Sequence, residues 1–440
     1  MFGGEGTVLT ALLHVAELAG LTAAWLLAGY ALLPRRLRTD EPFLIASTAF
    51  ALGAGLTAVA VTLAAALGVM TRATLWAIQI AVVLLAARGA GDWRRQQMPA
   101  LLAFHSSLRT SLRTSMRRWP TRLALAALLL MALATLLGTL APPSSMDATV
   151  YHLTAPRAFL RAGRWVALTG IVQSYQPLYV EMLFAQAMGI GDDVLAALVH
   201  WVLGIAAVAT AGAWSRKLGG SACLGMLIAG ASALFAWEST SAFVDLGVAT
   251  FASLAVLWAT RAEIGAASWL LAGVFAGLAA GSKLTGAFAG LLAAGVSLCA
   301  TGPDWPAARR RFLAIGALAF ALALPWYVRN LLLIGNPFYP VGNTLLGQPP
   351  AMLASGYYGT GHSVWALLRS PFEVLFAGDA FDRGWSLGPA YLALLPLGIW
   401  RTARTKAGRL AMGTLLAWWL FWFFSSPQTR LLLPVAPIAA

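Results

Sequence analysis

The chain has 440 residues, 60% of them hydrophobic and only 10% charged, with a mean hydropathy of +0.76. Soluble globules carry roughly a quarter charged residues, so a soluble enzyme built around a glycine-rich nucleotide loop is excluded, and no such loop follows any strand pattern. The formal charge of +14 lies in short clusters between apolar runs, not on a folded basic domain, which argues against a nucleic-acid partner.

The opening "MFGGEGTVLT" lacks a cationic n-region, and no cleavage site follows its first apolar run, so it reads as a retained helix and not as a signal peptide. Thirteen apolar segments follow, near 7–33, 43–69, 74–88, 121–141, 193–214, 220–237, 243–260, 267–281, 284–301, 312–328, 388–400, 408–424 and 431–440. Runs of about 18 residues or more cross a hydrocarbon core of about 30 Å. Backbone polar groups in lipid must be satisfied within helices, and the alternation of a barrel strand is absent. The expected fold is an all-α polytopic transmembrane bundle of about 12–13 membrane segments. Its last segment, "LLLPVAPIAA", has ten residues and two prolines and cannot span alone. A truncated chain and a re-entrant end both explain it. Cys223 and Cys299 sit in apolar runs, which speaks against a disulfide framework or a metal site.

Sidedness follows from the basic clusters "PRRLR" (34–38), "RRQQ…LRTSLRTSMRRWPTR" (94–122), "SRK" (215–217), "ARRR" (308–311) and "RTARTKAGR" (401–409). Placing the first inside puts every one of them on the cytoplasmic side of the threading, as the positive-inside bias requires. Two large segments then face outward, 142–192 and 329–387. Within the first, "TAPRAFLRAGRWVAL" and "PLYVEMLFAQAMGI" read as short amphipathic helices at the interface. The chain divides into additional helices with a basic loop (1–119) and a transmembrane module (120–440).

Polar residues at membrane depth are costly and mark function by default. Asp147 opens the first outer loop in "SSMDATVYHLTAPRAFLRAGRW", followed by Tyr151 and His152. Asp245 begins a helix in "FVDLGVATF", Lys283 sits in the hinge "GSKLTG", Arg329 and Asn330 end a helix in "WYVRNLLLIGNPFYP", and Arg430 opens the last segment in "QTRLLLPVAP". The threading puts all of them at one outer depth. A helix-start Asp also serves as an N-cap, and cations at helix ends also snorkel to headgroups. No His or Cys cluster has metal spacing; a divalent metal is left open, and no other cofactor is implied. An acid beside several cations at the interface suits a lipid-linked phosphate: Arg and Lys bind it, and a carboxylate deprotonates an acceptor hydroxyl.

These segments, in this order and with this shared sidedness, resemble the GT-C superfamily of membrane glycosyltransferases, of the protein O-mannosyltransferase and aminoarabinose transferase type. The resemblance covers roughly 120–440. It implies transfer of a sugar from a polyprenyl-phosphate donor, with inversion, to an acceptor (lipid, glycan or protein) at the periplasmic face of a bacterial inner membrane. By it, Asp147 matches the first-loop general base, Asp245 a second active-site acid, and Lys283 and Arg430 the cations on the carrier phosphate, with Arg329 beside them. The family pairs two acids in its first loop where this chain has Asp147 alone, so Asp147 acting by itself, Asp147 helped by Glu181, and an inactive member all stay open. Tyr151 and His152 are assigned to orienting the acceptor or the base. Two other readings compete. A transporter or flippase of lipid-linked sugars calls for mid-helix charges and related halves, and a non-catalytic envelope-assembly protein has no positive signal.

Overall fold

The computed structural model describes residues 4–38, 41–114, 119–261, 264–300, 302, 304–346, 358–382 and 385–440. It is 80% helical, with no strand among the described residues, and forms an all-α membrane bundle. The helices are α1 (Gly4–Leu32), α2 (Pro42–Ala66), α3 (Arg72–Thr114), α4 (Trp119–Thr139), α5 (Thr154–Ala162), α6 (Tyr179–Ile190), α7 (Asp193–Lys217), α8 (Ala222–Gly230) and α9 (Ala233–Ser239). They continue as α10 (Asp245–Ala259), α11 (Ala266–Ala280), α12 (Gly286–Ala300), α13 (Trp305–Ile334), α14 (Val364–Phe376), α15 (Gly378–Asp382), α16 (Pro389–Thr402), α17 (Lys406–Ser425) and α18 (Ala436–Ala439).

Among the described residues, seven helices are long and apolar enough to cross a membrane, and an eighth span arises if α8 and α9, bent by 71° at their break, count as one. The expected single helix over 220–237 is therefore broken. The helices α10, α11 and α12 have 15 residues each, about 22 Å at 1.5 Å per residue, shorter than a hydrocarbon core of about 30 Å. Of the three, α10 need not meet lipid at all, whereas α11 and α12 leave Leu270 and Leu291 exposed. Every residue of α10 is buried, and it touches α7, α11, α12 and the 3-10 turn Thr429–Val435.

Lipid supplies no hydrophobic drive between helices, so packing and interhelical hydrogen bonds, each about 0.6–2 kcal/mol, hold the bundle together. The indoles supply several of these bonds. Trp258 Nε1 donates to Thr48 Oγ1 at 3.0 Å, Trp201 Nε1 to Thr135 Oγ1 at 3.0 Å, and Trp214 Nε1 to the Ser253 carbonyl at 3.2 Å.

Two local expectations change. The basic stretch after residue 94, read as a loop, continues α3 as helix to Thr114; its Arg, Gln and Leu residues are good helix formers, which hydropathy ignores. The segment 179–190 is a helix but does not lie on the surface: α6 is buried from Tyr179 to Gly189 between α2 and α7. By contrast α5 is amphipathic as read, burying Ala155, Pro156 and Phe159. The final segment is a 3-10 turn, Thr429–Val435, followed by α18. Residues 347–357 of the second outer segment and 115–118 of the basic stretch lie outside the described residues.

Candidate active site

The site forms where five chain segments meet at one end of the bundle. Leaving α4, the chain turns through Asp147 into the π-helical turn Ala148–His152. Asp147 occupies the N-cap position, yet its side chain makes no capping bond. Its Oδ2 instead accepts from Arg430 Nη1 at 2.5 Å, and the Tyr151 hydroxyl also bonds to it. The capping explanation for this acid is thereby removed. Asp147 keeps 20% side-chain exposure and Arg430 14%, so both can meet a ligand. Burial acts to raise the Asp147 carboxyl, but the adjacent Arg430 guanidinium outweighs it and holds the group below the usual carboxylate range.

Arg430 gathers more than one partner. Its Nε donates to Gln428 Oε1 at 3.1 Å and lies 3.4 Å from Asp382 Oδ2 at the end of α15. Asp382 went unnoticed in the sequence: an acid in a polar outer segment carries no penalty and so gives no signal.

The second pair lies beside the first. Lys283 Nζ donates to Asp245 Oδ1 at 2.7 Å, and Asp245 is 1% exposed. Asp245 heads the buried α10, and Lys283 stands in the turn joining α11 to α12, which folds α12 back against α10. The turn is seated by Gly281, whose carbonyl accepts from the Tyr179 N–H at 2.8 Å while the Tyr179 ring fills the space a Cβ would need. Lys283 is close enough to act on the Asp147 charge as well. Neither cation snorkels to headgroups; each is turned inward onto an acid.

Behind Tyr151, His152 Nδ1 lies 2.8 Å from Glu181 Oε1. Burial drives His152 well below its ordinary value and pushes Glu181 up to about 8. Both groups are therefore neutral near pH 7, with the Glu181 hydroxyl donating to Nδ1. His200 was not singled out in the sequence. Its Nε2 accepts from the Leu246 N–H at 3.2 Å and its Nδ1–H donates to the Ser241 carbonyl at 2.8 Å, fixing the chain that leads into Asp245. Glu238 was also missed; it is fully buried, and neither carboxylate oxygen has a hydrogen-bond partner among the described residues.

Arg329 and Asn330 have different partners. Arg329 is 1% exposed, its Nη2 donating to the carbonyls of Ser174 at 2.9 Å and Gln176 at 3.2 Å, and Asn330 Nδ2 donates to that of Tyr175 at 2.6 Å. The guanidinium stacks 4.9 Å over Trp326. These bonds tie the end of α13 to the first loop. Among the described residues, no three His, Cys, Asp or Glu side chains are arranged to hold a metal ion.

No family model matches this chain, and no curated protein matches it. Two solved structures are similar to this chain. ArnT from Cupriavidus metallidurans in the apo state matches with 17% identity and a TM-score of 0.50, covering 72% of this chain and 57% of that one. ArnT from the same organism bound to undecaprenyl phosphate matches with 18% identity and a TM-score of 0.47, over the same shares. The chain thus spans 57% of the ArnT length. Over 72% of its length the chain has the fold of ArnT.

Proposed function

We propose that this protein is a membrane glycosyltransferase that moves a hexosyl or pentosyl group from a polyprenyl-phosphate donor to an acceptor. The reaction runs at the periplasmic face of a bacterial inner membrane. The observation that carries the reading is the pairing of Asp147 with Arg430 beside Asp245 and Lys283, at one end of a bundle with the ArnT fold.

In this reading Asp147 is the general base. Its carboxylate takes the proton from the acceptor hydroxyl as that oxygen attacks the anomeric carbon. The bond from that carbon to the phosphate oxygen breaks, and its electron pair leaves with the phosphate. One displacement inverts the centre. Arg430 and Lys283 receive the developing phosphate charge, and preorganised donors of this kind are worth about 2.7–4 kcal/mol each. Asp245 positions Lys283, while Tyr151 and His152, backed by Glu181, hold the Asp147 turn.

The pairing of Arg430 with Asp147 supports an order of events in this reading. Without donor, Arg430 lies against Asp147 and depresses its basicity. An arriving phosphate competes for the same guanidinium, because a planar fork suits phosphate oxygens as well as carboxylate. As Arg430 turns to the phosphate, Asp147 becomes a stronger base at the moment it is needed. Arg329, with its donors on loop carbonyls, serves by fixing the first loop.

The test is a transfer assay with purified protein in nanodiscs and a panel of polyprenyl-phosphate sugars. Donor-dependent release of polyprenyl phosphate is the expected result. Failure of every such donor to bind would remove the reading.

A further inference from the structure

Arg157, Arg161 and Arg164 of the first loop run against the charge bias that orients the chain, and the proposed transfer uses none of them. Two of the three, with Arg72 at the start of α3, line a cavity of about 300 Å³ whose remaining polar walls are Asp192 and Asp193. Backbone bonds clamp its sides together: the Met70 N–H donates to the Gly163 carbonyl at 2.9 Å, and the Trp165 N–H to the Ala65 carbonyl at 3.3 Å. Gly163 adopts φ +69°, the left-handed conformation that ends α5 and returns the chain to the α2–α3 turn. The arginines are therefore carried by elements locked to each other.

The acids in this cavity are already engaged. Asp192 Oδ1 accepts from the N–H groups of Val194 at 2.9 Å and Leu195 at 3.1 Å, capping α7, and its Oδ2 lies 2.9 Å from His14 Nε2. Asp193 is paired with Arg157. Arg72 and Arg161 have no hydrogen bond or ion pair with any described residue. The cavity thus presents two uncommitted guanidinium forks beside acids already bonded elsewhere, Arg161 on the same loop as Asp147 and Arg72 at the start of α3.

We propose that this cavity binds a phosphate-type anion, gripped by Arg72 and Arg161 with Arg157 behind them. Guanidinium forks match phosphate oxygens two at a time. The headgroup of an anionic phospholipid and free inorganic phosphate offer the same oxygens, and at a helix-end position either can reach the cavity.

The test reads binding without any sugar donor, so it stands or falls separately from the transfer reaction. Native mass spectrometry measures retention of phosphatidylglycerol against phosphatidylcholine, and thermal shift measures stabilisation by inorganic phosphate. The wild type should retain phosphatidylglycerol preferentially, or be stabilised by phosphate, or both. The first result identifies a lipid headgroup and the second a free anion. The double variant Arg72→Gln/Arg161→Gln should lose about tenfold or more in affinity. Its ligand-free melting temperature should be unchanged, because neither side chain has a partner to lose. Arg164→Gln, outside the cavity, should bind as the wild type does. The proposal is overturned if the wild type shows neither the lipid preference nor the phosphate stabilisation, if whichever it shows survives the double variant, or if Arg164→Gln loses as much.

Discussion

Lys283→Ala separates the structural and ligand-binding roles of the buried pair. Asp245 is 1% exposed, its Oδ1 is held only by Lys283, and its Oδ2 has no hydrogen-bond partner among the described residues. Removing the ammonium leaves an uncompensated carboxylate in the core, which costs about 3–5 kcal/mol. Unfolding entropy of about 2.1 cal/mol/K per residue makes that roughly 3–5 °C in melting temperature for a chain of 440 residues. Adding Asp245→Asn removes the stranded charge and should restore most of the loss. Donor affinity should behave differently. Both the single and the double variant lack the ammonium, so each should bind a polyprenyl-phosphate donor about 1.5–3 kcal/mol more weakly. Thermal unfolding and donor titration on the same preparations make the comparison. An unchanged melting temperature in Lys283→Ala would refute the desolvation argument, and unchanged donor affinity would remove Lys283 from the phosphate.

Other consequences are equally specific. Gly281→Ala places a Cβ 2.2 Å from the Tyr179 ring, which its bonds to the Gly281 N–C=O turn and the Leu322 carbonyl keep from retreating. Overpacking of about 1–3 kcal/mol should follow, read as a lower melting temperature; a neutral effect would show that the ring moves freely. The His152–Glu181 pair predicts a plateau in stability against pH. Unfolded, the two groups titrate near 6.5 and 4.5; folded, His152 stays neutral far below 6.5 and Glu181 holds its proton to about 8. Between 4.5 and 6.5 both states carry one proton on the pair, so stability is flat there. Above that window the folded state keeps a proton the unfolded chain has lost, and stability falls by up to about 1.4 kcal/mol per pH unit. Below it, the unfolded chain gains a second proton that buried His152 refuses, and stability falls again. Glu181→Gln should abolish the alkaline fall and, by removing the proton that balanced the plateau, make the acid-side fall begin near 6.5; an alkaline fall that persists would contradict the assignment. For topology, cysteines replacing Ser144 and Ser111 should be labelled from opposite sides of the membrane; labelling of both from one side would sink the threading.

The helical bundle was legible because hydrocarbon length leaves few alternatives, and the site was partly legible because an ion in an oily chain needs a reason. Asp147, Asp245, Lys283 and Arg430 stood out on that ground, and they touch in pairs. Asp382 and Glu238 did not, since both fall where the hydropathy pattern already allows polarity. The helix α6 misled for a related cause. Its polar residues looked like a wet face, but Tyr179 donates to the Leu322 carbonyl, Glu181 meets His152, and Gln186 Nε2 donates to the Leu75 carbonyl at 3.0 Å. Those partners lie up to 143 residues away in sequence, and no local pattern encodes them. Arg329 shows the same limit, because a guanidinium spent on loop carbonyls looks identical in sequence to one waiting for phosphate.

The central claim is that Asp147 is the base, and Asp147→Asn tests it most directly. Asparagine keeps the size and an oxygen for Arg430, and no capping bond is at stake because Asp147 makes none. Transfer rate and melting temperature should be measured together on the purified variant. The account predicts a folded protein whose turnover is lower by about 10²–10⁴. A folded Asp147→Asn protein with near-normal turnover would contradict it.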